Sequence, residues 1–254
     1  MAQKYLLEAI NAPLVPTDVF YSRKDAIEYV KNTEFPKVFK LRGGAGSSNV
    51  KLLHTKADAM KFVNRAFGVG FGSYDKWGNL KEVLRKYRLG KSTSREILKS
   101  LRRLIVSTEF ANIHGKQKGY MLFQKFIPNN TFDIRIIVIG DRAFAIKRMV
   151  RENDFRASGS GFVRYDREEM DERCVQISFD VQKRLNASCV AFDYVFDEDN
   201  NPLIVEINYG YAIEVYYPCP GYWDRDLNWH EGKFISVHFI IDDIVNSLQE
   251  ANKV

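Results

Sequence analysis

The stretch "AFDYVFDEDNNPLIVEIN" (residues 191–208) constrains the fold more than any other part of the chain. Two runs of β-branched and aromatic residues flank "DEDNNP", whose residues favour turns, so the pattern predicts a β-hairpin. Its strands nevertheless carry three oxygen-bearing side chains, Asp193, Glu206 and Asn208. A buried carboxylate costs free energy unless a charge or hydrogen bonds compensate it. The hairpin therefore predicts a partner for these side chains.

A divalent cation is one such partner. Side chains alternate along a strand, so Glu206 and Asn208 share a face, and Asp193 can lie beside them on the neighbouring strand. Mg²⁺ typically takes one or two carboxylates and completes its shell with water and phosphate oxygens. A structural hairpin with a polar face is the alternative that this pattern leaves open.

Composition indicates a globular chain with a preference for anions. The 254 residues are 45% hydrophobic, which suits one large domain or two intimate subdomains, and the net charge of +6 favours anionic ligands. The odd number of cysteines, without metal-type spacing, fits a reducing compartment. The sequence shows no apolar run of membrane-spanning length and no signal-peptide pattern, so we expect a soluble cytoplasmic protein.

Helix-like and strand-like segments mix along the chain, with antiparallel hairpins prominent, which predicts an α+β fold. Ser22 with Asp25, and Thr55, are typical helix caps. We expect helices near 4–13, 22–32, 55–67, 167–186 and 234–251, and strands near 37–41, 50–53, 120–127, 132–140 and 142–150.

Residues 65–118 form a basic segment that we interpret as an insertion. "NLKEVLRKYRLG" and "STSREILKSLRRLIV" within it both predict helices. Binding of nucleic acid or an acidic polymer is open here, but no recognition motif is present, and solvated helical faces are the simpler interpretation.

The stretch "KVFKLRGGAGSSNVKLL" joins two predicted strands through a Gly/Ser loop. Glycines allow backbone N–H groups to wrap around an anion, and Lys40 precedes the loop where its ammonium could reach a phosphate. The pattern is not a P-loop, because no Gly-Lys-Ser/Thr opens a helix. An ordinary hairpin loop is the alternative.

Two further stretches carry candidate ligand contacts. In "FQKFIPNNTFDIR" the crossover 124–127 offers backbone groups and apolar cover to a planar heterocycle, and Asp133 could accept from a ribose hydroxyl, although an ordinary strand connection fits as well. In "AIKRMVRENDFRASGSGF" several cations meet a second Gly/Ser loop, which suits a polyphosphate or carboxylate, or else a charged surface. These cations are Lys147, Arg148, Arg151 and Arg156.

In this order, "KVFKLRGGAGSSNV", "LFQKFI", "FDIRIIVIGDRAFAIKRMVRENDFR" and "VAFDYVFDEDNNPLIVEIN" resemble the ATP-grasp superfamily. The middle segment is most similar to ribosomal-protein glutamate ligases and glutathione-synthetase-like carboxylate–amine ligases. The resemblance spans roughly residues 4–212 without the insertion. It implies an ATP-grasp fold with two α+β subdomains that grip ATP, here residues 1–123 and 124–254. The N-terminal domain that usually precedes the ATP-grasp part is expected to be absent or supplied by a partner.

The resemblance also implies roles for individual residues. Lys40 corresponds to the lysine before the glycine-rich lid, 124–127 to the adenine hinge and Asp133 to the ribose contact. Lys147 takes the place of a phosphate-contacting cation, and Arg156 of an arginine at the acyl phosphate. The implied cofactors are ATP and Mg²⁺, with Mn²⁺ as a substitute metal. The implied ligand sets are the lid (Gly43, Gly44, Gly46, Ser47, Ser48), the hinge (Gln124, Lys125, Phe126, Ile127) and the metal ligands (Asp193, Glu206, Asn208).

The implied activity is ATP-dependent ligation that forms C–N bonds through an acyl phosphate. A small-molecule kinase on the same fold, and a non-catalytic nucleotide- or polyanion-binding protein, are the alternatives. The carboxylate substrate is not identified by the sequence. The aromatic segment 209–231 departs from the family pattern, and it suits a sugar- or peptide-linked substrate, a buried loop or a protein interface.

Overall fold

The computed structural model describes residues 1–42, 49–72, 76–88, 90, 92–106, 113, 115–151 and 154–251. The chain divides into two compact units. The first consists of Met1 and Pro16–Phe126, and the second of Ala2–Val15 and Ile127–Val254. Within the described ranges, no helix is both long and apolar enough to cross a membrane.

The elements of the first unit follow the chain from residue 17 to residue 125. The strands are β1 (Thr17–Phe20), β2 (Lys37–Lys40), β3 (Val50–Leu53), β4 (Phe71–Gly72), β5 (Lys116–Gln117) and β6 (Met121–Lys125). Helix α1 (Ala2–Ala9) belongs to the second unit, and the described helices of the first are α2 (Arg23–Asn32), α3 (Lys56–Ala66), α4 (Lys76–Arg88) and α5 (Ser94–Ile105).

An antiparallel sheet in the order β1-β6-β2-β3 forms the first unit, and α2 and α3 pack together beside it. The predicted caps are confirmed, since the Ser22 and Thr55 side chains accept hydrogen bonds from the N–H groups of Asp25 and Asp58. The apolar faces of these helices meet Phe39 and other sheet residues in one core.

A two-stranded sheet lies at the base of the predicted insertion in the first unit. Strands β4 and β5 pair with each other, with Phe71 opposite Gln117. Between them, α4 and α5 pack against each other, and the Asn79 side chain donates to Ser100 Oγ at 2.9 Å. Both predicted helices of the insertion are therefore confirmed.

The second unit is built on a larger sheet in the order β11-β10-β7-β8-β12-β13, with β9 beside β8. Its strands are β7 (Phe132–Ile139), β8 (Arg142–Met149), β9 (Val163–Arg164), β10 (Cys189–Phe196), β11 (Pro202–Asn208), β12 (Gly221–Asp224) and β13 (Trp229–Glu231). Its remaining helices are α6 (Glu172–Leu185) and α7 (Ser236–Ala251), with 3₁₀ turns at Arg167–Glu169 and Ile213–Tyr216.

Apolar clusters cover this sheet on both faces. On one face, Ile134, Ile136 and Phe192 pack with residues of α6 and with Leu7 of α1. On the other face, Ile137 and Phe144 pack with Tyr216 and with Phe239 of α7. The central strands are therefore buried on both sides.

Two parts of the second unit differ from the sequence prediction. The helix predicted over 167–186 is interrupted, because Met170 turns into the core and the Asp171 side chain caps a new helix by accepting from Arg173 N–H. The segment 209–231, predicted as a loop, contains β12 and β13. Strand β12 joins the sheet because Trp223 pairs with Ala143 and buries its indole.

Candidate nucleotide and metal site

The predicted hairpin is present as β10 and β11, joined by a turn at 197–201. The carboxylate of Asp197 holds this turn, because its Oδ1 accepts from the N–H groups of Asp199 at 3.0 Å and Asn201 at 2.8 Å. The local turn chemistry thus fixes which residues of the two strands face each other.

A β-bulge places the oxygen-bearing side chains on one face. Asp193 pairs with Glu206, whereas Tyr194 pairs with Ile204, so the register shifts by one residue between the two pairs. Paired residues project to the same face of a sheet, and the extra residue Val205 reverses the alternation of β11. Ile204 therefore stays in the core with α6, while Glu206 shares the face of Asp193.

Asn208 lies on that same face, because it pairs with Ala191, two residues before Asp193 on β10. Its side-chain Oδ1 accepts from the N–H of Gly210 at 3.1 Å, and the residue is exposed. The structure thus brings all three predicted metal ligands onto one face of two adjacent strands.

Two arginines stand beside these ligands. Arg148 of β8 forms a two-pronged ion pair with Asp133 of β7, with distances of 2.6 and 2.7 Å. Its Nη2 also lies 3.0 Å from Oδ1 of Asp193. Arg135 Nε lies 3.5 Å from the same oxygen, and the side chain of Arg148 is only 8% exposed. Asp193 thus belongs to a buried, charge-balanced cluster across three strands.

The electrostatics of this cluster follow from burial. Burial raises the pKa of Asp133 from 3.8 to about 6, although the charge of Arg148 offsets part of the effect. Burial alone would lower the pKa of Arg148, but Asp193 and Asp133 outweigh it and hold that pKa above its ordinary value. The arginine therefore stays charged.

One further observation supports Asp193 as a metal ligand. Its Oδ1 is buried and, among the described side chains, accepts no hydrogen bond of good geometry despite the nearby arginines. The described residues hold no group of three or more His, Cys, Asp and Glu side chains suited to a metal. Two carboxylates and an amide fit Mg²⁺ that is completed by phosphate oxygens, and do not form an all-protein cage.

Lys147 is placed away from these ligands. It precedes Arg148 on β8, so its side chain projects to the opposite face of the sheet. There its Nζ lies 3.1 Å from Glu169 and 4.1 Å from the ring centroid of Phe132. Hydrogen bonds from Arg164 and Lys147 lower the pKa of Glu169. The structure does not bring Lys147 together with Asp193, and its phosphate contact stays a prediction.

Arg156 is held within its own loop. Its guanidinium contacts the carboxylate of Asp154, with Nη2 2.7 Å from Oδ2. Asp154 Oδ1 also accepts from the N–H groups of Phe155 and Arg156. This local motif fixes the backbone and holds the guanidinium while leaving it partly exposed. Its role at an acyl phosphate stays a prediction.

The predicted nucleotide contacts of the first unit lie on two neighbouring strands. Lys40 ends β2 opposite Val50, and Lys125 ends β6. Gln124 is buried, and its side chain donates to Thr17 Oγ1 at 3.0 Å, so this amide has a structural partner. Phe126 is half-buried, as is Ile127, the first residue of the second unit's main segment.

The predicted lid residues Gly43, Gly44, Gly46, Ser47 and Ser48 lie outside the described residues. The residues on either side of these positions are held by hydrogen bonds. The Leu41 N–H donates to Asn49 O at 3.1 Å, and the Arg42 N–H donates to the Tyr120 hydroxyl at 2.8 Å and to Gln117 Oε1 at 3.1 Å. Arg42, the last described residue before this segment, is thus held by residues near the start of β6.

The aromatic segment after Asn208 packs over the charged cluster of the second unit. Tyr216 is buried, and its ring meets Phe144 at 5.4 Å between centroids. Burial raises the pKa of Tyr216, and the charges of Arg135, Asp193 and Arg148 also act on it. Tyr209 is exposed, so the segment is a buried loop in part only.

Sequence reasoning gave no role to Arg135 or Tyr216, and named Arg148 only as one of four cations. The signal for Arg135 was its spacing of two from Asp133, which puts both on one face of β7. A cavity of about 740 Å³ lies elsewhere in the second unit. It opens by Phe132 and Ile134, on the α6 face of the sheet.

Residues 99–216 match the model of the RimK-like ATP-grasp domain. The matched segment covers less than half of the chain, and the match says what that segment is similar to. The chain has the ATP-grasp fold. The resemblance drawn from the sequence is thereby confirmed, and so is the α+β ATP-grasp fold class. Members of the ATP-grasp family are ATP-dependent ligases.

Solved structures of ATP-grasp proteins are similar in fold to this chain. N5-carboxyaminoimidazole ribonucleotide synthetase in its ADP complex has a TM-score of 0.53 at 13% identity. Biotin carboxylase from Campylobacter jejuni has a TM-score of 0.51 at 15% identity. The biotin carboxylase domain of the Hydrogenobacter thermophilus 2-oxoglutarate carboxylase, with MgADP and bicarbonate, has a TM-score of 0.50 at 13% identity. At these identities the likeness shows the fold.

The extent of these matches is partial. The match to the ribonucleotide synthetase covers 92% of this chain and 52% of that protein. The matches to the two biotin carboxylases each cover 84% of this chain, and they cover 40% of the Campylobacter jejuni protein and 39% of the Hydrogenobacter thermophilus protein. No curated protein matches the sequence significantly.

Proposed function

We propose that this chain is an ATP-dependent carboxylate–amine ligase that forms C–N bonds through an acyl phosphate. The observation that carries the proposal is the shared face of Asp193, Glu206 and Asn208, with the buried Oδ1 of Asp193 lacking a well-aligned hydrogen bond. The family match supports ligase chemistry in general. The choice of a carboxylate and an amine rests on the resemblance.

These three residues would hold Mg²⁺ together with phosphate oxygens of ATP. When bound, the ion would offset the negative charge of the phosphates and favour transfer of the γ-phosphoryl group. Asp193 and Glu206 occupy directly opposed positions on one face, so their carboxylates can approach the same cation. The donor set therefore suits the ion that ATP brings with it.

The arginines beside the ligands have a positioning role. Arg148 is fixed by its two-pronged contact with Asp133, and it presents Nη2 to Asp193. Arg135 approaches the same carboxylate oxygen from β7. Both cations hold the Asp193 carboxylate in place, and they contribute positive charge toward anionic ligands on this face.

The reaction balances as two displacements. An oxygen of the substrate carboxylate attacks the γ-phosphorus of ATP, and ADP leaves with the bonding electrons. An amine nitrogen then attacks the acyl carbon, phosphate leaves, and the nitrogen loses a proton to form the amide. Arg156 is proposed at the acyl phosphate, Lys40 at a phosphate, 124–127 at the adenine and Asp133 at the ribose.

The resemblance to the family makes Lys147 a candidate phosphate contact. Its pairing with Glu169 on the opposite face opposes that role. Arg148, on the face of the metal ligands, is the stronger candidate for the cation that the chemistry needs.

The test is release of ADP from ATP across a panel of carboxylates and amines, followed by product analysis. An amide together with ADP and phosphate supports the proposal. A stable phosphorylated acceptor with ADP would indicate a kinase, and nucleotide binding without turnover would indicate a binding protein. The variant Glu206→Gln removes one of the proposed metal ligands. Its matched control is Glu198→Gln, because Glu198 is an exposed carboxylate in the turn of the same hairpin.

A further inference from the structure

The positive charge of this chain is concentrated in the α4–α5 hairpin, residues 76–106. This segment contains ten Lys or Arg and two Asp or Glu, a net charge of +8, whereas the whole chain has +6. The remainder of the chain is therefore slightly acidic. A local excess of this kind attracts an anionic surface, and it falls on a segment that the proposed ligase site does not use.

Helix α5 places exposed leucines beside its cations. Leu98 is 69% exposed and Leu101 is 44% exposed, and Val106 just after the helix is also exposed. At 3.6 residues per turn, Arg102 lies about 40° and Lys99 about 100° around the axis from Leu98. An apolar ridge and a basic ridge thus run side by side along the helix.

The exposed leucines do not form the contact between α4 and α5. Ser100 is buried and bonded to Asn79 of α4, so its side of α5 faces α4. Ser100 lies about 160° around the helix axis from Leu98. The leucine ridge therefore points away from the contact that holds the two helices together.

We propose that the α4–α5 hairpin docks on the surface of an anionic lipid bilayer, with α5 in the interface. The bilayer accepts both ridges at once, because leucines enter the acyl boundary while Lys and Arg reach the headgroups. Nucleic acid would account for the cations but would leave the leucines in water. Charge complementarity therefore selects a surface that is both negative and apolar just below the headgroups.

A second apolar stripe in the chain provides the contrast. Ile241, Ile244, Val245 and Leu248 of α7 are exposed at helical spacing. The exposed Asp242 lies among them, and α7 itself contains no Lys or Arg. If exposed apolar residues alone bound lipid, this stripe would act like α5.

The experiment is flotation of the full chain with vesicles of phosphatidylcholine, or of phosphatidylcholine mixed with phosphatidylglycerol. We expect binding to the anionic vesicles only, weakened by salt. Lys99→Gln with Arg102→Gln should weaken it about tenfold or more, and Leu98→Gln with Leu101→Gln should abolish it. All four positions are exposed, and circular dichroism confirms that each variant is folded.

Two control variants test whether exposed apolar residues alone, or exposed cations alone, account for binding. Ile244→Gln with Leu248→Gln removes exposed apolar residues from a helix that contains no Lys or Arg, and Lys24→Gln with Lys31→Gln removes two exposed cations of α2. Both should bind like the wild type. Equal binding to neutral vesicles, or equal loss in the controls, would overturn the proposal. So would retention on RNA or DNA that depends on Lys99 and Arg102 without any vesicle binding.

Discussion

Asp193 and Glu206 occupy directly opposed positions on β10 and β11, and Oδ1 of Asp193 lies 3.0 Å from the Arg148 guanidinium. One carboxylate of the pair thus belongs to a buried ion-pair cluster. The other faces it as a like charge. The ion pairs of Arg148 with Asp133 and Asp193 hold neighbouring strands together, whereas Glu206 is proposed as a metal ligand, so variants of the two kinds should behave differently.

Glu206→Gln should abolish turnover and leave the ligand-free protein as stable as the wild type, or more stable by up to about 1 kcal/mol. The reason is that the change removes a like charge opposite Asp193. Urea unfolding gives the stability, and ADP release gives the turnover. Glu198→Gln, in the same hairpin, should change neither. A clear loss of stability in Glu206→Gln, with turnover retained, would assign the residue a structural role.

Arg148→Met should destabilise the fold by about 3–5 kcal/mol, because it leaves the buried carboxylate of Asp133 without its cation and removes one of the two arginines at Asp193. The comparison is Arg156→Met, whose ion pair with Asp154 is partly exposed, and which should cost at most about 1 kcal/mol. Urea unfolding of both variants measures the difference. Similar losses in the two would show that the cluster is less buried than described.

Stability should fall as the pH rises from about 4 to about 6, through the titration of Asp133. Burial raises the pKa of this carboxyl to about 6 from 3.8, so in this window the folded protein holds a proton that the unfolded chain releases. Asp133→Asn cannot titrate. The free energy of unfolding of the wild type minus that of the variant should therefore decrease over this interval. An increase would show that Arg148 outweighs burial and lowers the pKa instead.

Lys40→Ala should weaken ATP binding by about 1.5–3 kcal/mol, the contribution of one charge-assisted contact to a phosphate. Its melting temperature should match that of the wild type. Lys51→Ala is the control, because Lys51 pairs with Phe39 and so projects to the face opposite Lys40. Calorimetry with ATP compares the two. Equal affinity of Lys40→Ala and wild type would remove Lys40 from the site.

Local signals made much of the fold predictable. The caps at Ser22 and Thr55 and the turn at 197–201 depend on residues within one turn of each other, so the sequence predicts them correctly. The break at Met170 depends on whether one side chain finds space in the core. No local pattern carries that information.

The arrangement of the charged cluster was beyond the sequence, because it depends on cross-strand register. Strand β8 is buried on both faces for most of its length, so no polar–apolar alternation indicates which face Lys147 takes and which Arg148 takes. The bulge at Val205 likewise appears only when β11 is paired with β10. Simple alternation puts Ile204 and Glu206 on one face, and the structure separates them.

The most direct test of the account is calorimetry of ATP binding to the wild-type protein with and without Mg²⁺, repeated on Glu206→Gln. The account predicts binding that depends on Mg²⁺ in the wild type and is lost or greatly weakened in the variant. Glu198→Gln should bind as the wild type does. Equal affinity with and without Mg²⁺, no binding by the wild type, or undiminished Mg²⁺-dependent binding by Glu206→Gln would contradict the proposed site.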